Sequence, residues 1–128
     1  MNKYKVFISY TMRENGISIE RLNILKKRFN EYDFIETYID ILDNCGEDHQ
    51  EYVENQLKKS DVVLLICSDG IESSEWVKKE LKIAQECNIP ILTLSLAQII
   101  SITDSKKHTN SKEVIKDIIK LVQDRDLQ

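Results

Sequence analysis

Asp61-Val62-Val63-Leu64-Leu65-Ile66-Cys67 decides the fold. Six apolar residues in succession have strand length, and the lack of any polar alternation puts both faces of that strand against protein. A strand of this kind belongs at the centre of a parallel sheet with helices on either side. The neighbouring segments agree. Tyr4-Lys5-Val6-Phe7-Ile8-Ser9 holds a second unbroken apolar run, Val6 to Ile8, as expected of another strand buried on both faces. Phe34 to Asp40 is β-branched and aromatic with partial alternation, which suits an edge strand. Ile91 to Ser95 follows Pro90, where a proline costs no ladder bond in the strand interior.

Helical periods separate these strands. Ile19, Leu22, Leu25, Lys26 and Phe29 set the first, and a second helix spans about Asp48 to Lys59 with Tyr52, Val53 and Leu57 facing inward. Ser73 or Ser74 can cap a third that runs to Cys87, and Asn88 supplies its stop. A last amphipathic helix covers about Ser111 to Gln123, with Val114, Ile115, Ile118, Ile119 and Val122 on its buried face. Leu96 to Ile102 reads as a fifth short strand. Strand and helix therefore alternate, which implies an α/β fold: an open parallel sheet of four to five strands, covered on both faces, with right-handed crossovers. Gly16, Gly46 and Gly70 fall in the loops after the first three strands, at the sheet edge where such folds bind ligands.

The 128 residues are expected to form one domain, 1–128, large enough to bury a core without staples. Eighteen basic residues against 22 acidic ones give a net charge of −4, and the two signs interleave along the helices. Nucleic acid is thereby disfavoured as a partner, since phosphate tracking calls for a basic excess or stripe. Apolar runs no longer than a strand exclude a membrane-spanning helix. The N-terminus shows no secretory apolar region, and three cysteines without close pairs suit a reducing compartment, so a cytoplasmic location is expected.

One residue breaks the pattern. With Ser73 to Cys87 on a helical wheel at roughly 100° per residue, Ile83, Trp76, Cys87, Ala84, Val77 and Leu81 fill an arc of about 160°. Glu80 falls inside that arc. A carboxylate there loses hydration and calls for a partner or a raised pKa, which marks a candidate site. Alternatively it leans back from the first turns of the helix toward an open loop and stays hydrated.

Three segments coincide at the ligand edge: Phe7-Ile8-Ser9-Tyr10, Ile39-Asp40 through Gly46, and Ser74-Glu75-Trp76-Val77-Lys78-Lys79-Glu80-Leu81. This combination resembles the TIR (Toll/interleukin-1 receptor) superfamily of flavodoxin-like domains, including its bacterial members, across the strands and helices from Tyr4 to Ser95. Many members cleave the N-glycosidic bond of NAD and release nicotinamide. The resemblance implies that Glu80 is the catalytic residue, with NAD as substrate and neither a cofactor nor a metal. Ser9, Tyr10 and Arg13 become candidates for substrate binding, Arg13 as a bidentate partner of the pyrophosphate or simply a solvated loop cation. Trp76 packs on the ribose or ring, or is plain core. Asp40 and Asp43 match acidic residues around a loop that gates the site and mediates assembly. That loop departs from the family pattern, because its common proline is absent and Cys45 precedes Gly46.

The resemblance further implies self-association, a possible separate effector protein, and a role in immunity such as antiphage defence. Two other functions fit the same residues. One is a non-catalytic TIR interaction module, although such adaptors usually lack the glutamate. The other is a nucleoside deoxyribosyltransferase-like enzyme, which also places a glutamate near a ribose. A phosphoacceptor receiver is excluded, since Ser9-Tyr10 stands where an acidic pair would hold Mg²⁺. Thiol chemistry by Cys45 with His49 lacks an orienting third group. Cys67 and Cys87 read as core residues and His108 as solvated.

Overall fold

In the computed structural model of the chain, residues 3–10, 17–40, 49–67, 75–104 and 109–126 are described. Strands β1 (Tyr4–Ser9), β2 (Ile35–Tyr38), β3 (Val62–Cys67) and β4 (Ile91–Ser95) form one parallel sheet in the order β2-β1-β3-β4. The described helices are α1 (Ile19–Asn30), α2 (His49–Lys58), α3 (Glu75–Glu86), α4 (Leu96–Asp104) and α5 (Thr109–Asp126). The fold is α/β and flavodoxin-like, as the alternation of elements implies.

β3 lies between β1 and β4, and Val62, Val63, Leu64 and Ile66 are almost wholly excluded from solvent. Its side chains divide between two cores. Val62, Leu64 and Ile66 join Val6 and Ile8 of β1 against α1, α4 and α5, where Leu22, Leu25, Phe29, Ile99, Ile102, Ile118 and Val122 bury their apolar surface. Val63 and Phe7 face the other way, against Val53 and Leu57 of α2 and Ala84 of α3. Burial on both faces is what the apolar runs encode, and each side chain so covered stabilises the sheet by roughly 1.5–3 kcal/mol.

Polar contacts fix the register at the amino end of the sheet. The Lys5 backbone N–H donates to Asp61 Oδ2 at 2.7 Å, while the Asp61 N–H donates to the Lys5 carbonyl at 2.8 Å. The side chain that precedes β3 thus clamps it to β1. At the end of α3, Asn88 takes φ 58°, the Ile89 N–H reaches the Ala84 carbonyl at 2.8 Å and the Asn88 N–H reaches Gln85 at 3.2 Å. This pair of bonds closes the helix, and an asparagine tolerates the left-handed conformation it requires. Asn88 is the stop that the sequence suggests.

One expectation needs correction. Leu96 to Ile102 is not a fifth strand but most of α4, because Ser95 and Gln98 cap each other: the Gln98 N–H donates to Ser95 Oγ at 3.1 Å and the Ser95 N–H to Gln98 Oε1 at 2.8 Å. Ile99, Ile102 and Thr103 then share the buried side, and Arg21 of α1 donates to Thr103 Oγ1 at 2.7 Å and to Asp104 Oδ1 at 2.9 Å, docking α4 on α1. Ile19 opens α1 half-exposed, so the buried stripe of that helix begins at Leu22. Among the described residues no helix is long and apolar enough to cross a membrane.

Candidate active site

The strand order turns about β1: the chain passes from β1 to β2 on one side and returns to β3 on the other. The carboxyl ends of β1 and β3 therefore flank the crevice where open α/β sheets take ligands. Ser9 is the last residue of β1. Strand alternation places it on the same face as Phe7, toward α2 and α3, and it is fully buried.

From the other side comes α3. Its buried residues are Val77, Glu80 and Ala84, a single stripe at helical spacing, so the stripe that fastens the helix to the sheet carries a carboxyl at its middle. Glu80 is only 5% exposed. The hydrated alternative does not hold: the carboxyl is inside, and the Ser9 hydroxyl donates to its Oε1 at 3.0 Å. Burial pushes the Glu80 pKa up from 4.5 to about 8; the Ser9 hydrogen bond pulls it down, the charge of Asp40 raises it, and a hydrogen bond from the Trp76 side chain lowers it. At neutral pH the group is therefore mostly a neutral acid. It has two donors in place for the moment it ionises.

Asp40 arrives from the residues just past β2, and the Tyr38 hydroxyl donates to its Oδ1 at 3.2 Å. Tyr38 is held in turn by stacking on Phe7, with ring centroids 5.4 Å apart and planes inclined by 22°. Beside Glu80 a shallow groove enclosing about 10 Å³ lies between α2 and α3, lined by Val53, Glu54, Leu57, Trp76, Lys79, Glu80 and Ile83. Its walls are apolar, and it admits little more than a water-sized group. The Glu80 carboxyl is buried behind these walls, bonded to Ser9, and presents no polar surface to the groove.

Of the residues singled out from sequence, the structure brings together Ser9, Trp76, Glu80 and the neighbouring Asp40. Trp76 is half-buried, packing against the α2–α3 core while its side chain bonds Glu80. Tyr10 is the next residue after Ser9 and so points to the opposite face, packing against the α1–α4–α5 core. Arg13, Asp43, Cys45 and the three loop glycines lie outside the described residues, as do Ser73, Ser74, His108 and the side chain of His49. Cys67 and Cys87 are reduced thiols of intermediate burial, Cys87 packing on the α2–α3 core.

Sequence reasoning missed Tyr38, Glu54 and Lys79. Tyr38 had a signal, because a residue two before Asp40 on an extended chain shares its face. Glu54 and Lys79 had none, since both lie on polar helix faces that meet the groove only once α2 and α3 pack. Among the described residues no three His, Cys, Asp or Glu side chains are grouped to hold a metal ion.

Two comparisons bear on this arrangement. A family model described as TIR domain matches residues 6–120, which takes in most of β1, the other three strands and most of the last helix. A search of curated proteins gives no match.

Proposed function

Because the chain belongs to the TIR domain family, we propose that it processes NAD, breaking the bond between nicotinamide and ribose with Glu80 as the catalytic residue. One observation carries this reading: a carboxyl buried at the carboxyl edge of the sheet and held by Ser9 and Trp76, on the helix that borders the α2–α3 groove.

The chemistry follows from charge. The C1′–N bond breaks with its electron pair going to the pyridinium nitrogen, so nicotinamide leaves neutral and the ribose is left as an oxocarbenium ion. A carboxylate beside that ion is stabilising, and more so in a site from which water is excluded than in solution. Water then adds at C1′ and gives up one proton, yielding ADP-ribose and nicotinamide; a nucleophile within the same molecule, in place of water, gives a cyclic nucleotide. Glu80 rests mostly protonated at neutral pH, with a pKa of about 8. The cationic nicotinamide end of NAD favours the ionised form, so binding releases the carboxyl proton and activates the site only when it is filled.

TIR domains generally self-associate or bind partners. Activity that rises more than proportionally with protein concentration fits this behaviour, as does a cyclic or hydrolysed product passed to a separate effector in antiphage defence inside a bacterial cell.

A second reading has an observation in its favour. The groove beside Glu80 encloses only about 10 Å³, far below the roughly 300–1,000 Å³ of ordinary ligand sites, which suits a non-catalytic interaction module in which Glu80 only shapes the surface. Chromatographic detection of nicotinamide from NAD, with Glu80→Ala as control, separates the two.

A further inference from the structure

Ser9 ends a strand flanked by β2 and β3 and has no exposed surface. Its backbone is paired in register with Leu65 of β3, and Phe7, on the same face, is locked in a ring stack with Tyr38. A hydroxyl so placed is fixed to the sheet, and what it reaches is the Glu80 carboxyl, at 3.0 Å from Oε1. We infer that Ser9 is a positioning residue: it sets the plane of the Glu80 carboxyl and gives it one partner that serves both its charged and its neutral form.

Ser9 and Trp76 differ in the hydrogen bonds they can make. A hydroxyl both donates and accepts, whereas the indole N–H of Trp76 only donates. When Glu80 is ionised, Ser9 and Trp76 both donate to it. When Glu80 carries its proton, Ser9 Oγ can accept that proton's hydrogen bond while Trp76 still donates. The carboxyl can therefore change charge without turning, and with Oε1 tied to the sheet its remaining lone pairs keep one direction. Replacing Ser9 by a residue without a hydroxyl removes a stabiliser of the charged form and the only one of the two partners able to accept.

Among the described residues, the other titratable groups around Glu80 are Asp40 past β2, with Tyr38 bonded to it, Glu54 from α2, and Lys79 on α3 itself. None of these is altered in a Ser9 variant. The inference depends on the proposed NAD chemistry only for its effect on turnover, so the deciding readout is made without substrate.

The full chain, labelled with ¹³C at glutamate carboxyls, is titrated by NMR, with Glu80 assigned by the signal lost in Glu80→Gln. Ser9→Ala is expected to raise the Glu80 midpoint by about one to two pH units, the equivalent of one hydrogen bond to a charged group. Ser9→Cys keeps the volume with a weaker donor and is expected to fall between; should Ser9→Ala not fold, Ser9→Cys decides. A midpoint within error of wild type in the folded variants overturns the inference. In the same variants the rising limb of kcat/KM against pH for nicotinamide release is expected to follow the NMR midpoint. Absence of release in every form, wild type included, counts against the NAD reading alone, and the carboxyl midpoint still decides the role of Ser9.

Discussion

Asp40 acts on Glu80 across the carboxyl edge of the sheet: the one lies just past β2, the other on α3, and the negative charge of Asp40 drives the Glu80 carboxyl further toward its neutral form. Two acids brought near one another cannot both ionise cheaply. The consequence can be measured in the opposite sense to loss of a hydrogen bond.

Asp40→Asn keeps the shape and the Tyr38 contact while removing the charge. The Glu80 pKa is then expected to fall, and the rising limb of kcat/KM, which reports the free enzyme, to move to lower pH. At pH 7 the gain in kcat/KM is less than the roughly tenfold that a full unit represents. A limb that stays in place, or moves up, shows that Asp40 does not act on Glu80 through charge.

Stability carries the same signature. In the unfolded chain Glu80 titrates near 4.5, and in the folded one near 8. Between those values the folded state holds a proton that the unfolded state has shed, so unfolding becomes easier as pH rises, by about 1.4 kcal/mol per unit. Below pH 4.5 the penalty is absent. Above pH 8 it is complete, on the order of several kcal/mol. Glu80→Gln cannot ionise, so urea titration is expected to find it more stable than wild type at pH 9, with the difference shrinking steadily toward pH 4.5. A difference independent of pH contradicts the buried, neutral carboxyl.

Away from the site, Thr37 of β2 buries a hydroxyl with no hydrogen-bond partner among the described residues. Its neighbours on that face, Ile35 and Ile39, belong to the α1–α4–α5 core. Thr37→Val exchanges an unpaired hydroxyl for a methyl of similar size and is expected to stabilise the protein by about 1 kcal/mol, raising the melting temperature by roughly 3–5 °C. A lower melting temperature means that the hydroxyl is satisfied after all.

How much of this was legible in the sequence depended on how local the cause is. The unbroken apolar run of β3 names its own environment, because only a strand covered on both faces tolerates it. Asn88 likewise signals a helix end through its own backbone preference. Glu80 announced itself by breaking a stripe, but periodicity could not say whether the stripe was buried there; that required β1 and its Ser9 on the other side. The missed helix α4 is instructive, since the reciprocal Ser95–Gln98 cap was present in the sequence and the apolar residues around it read equally well as a strand. Asp40 meets Glu80 only because β2 and β3 lie on opposite sides of β1, a long-range fact that no window of residues contains.

The direct test of Glu80 as the catalytic residue is nicotinamide release from NAD by purified protein across a concentration series that extends high enough for self-association, with wild type and Glu80→Gln side by side. Release by wild type, reduced at least a hundredfold in Glu80→Gln while the variant stays folded, is the expected result; the size follows from losing a charge that stabilises the transition state, about 10²–10³ in rate. Equal release by both proteins, or none from wild type at any concentration, contradicts it.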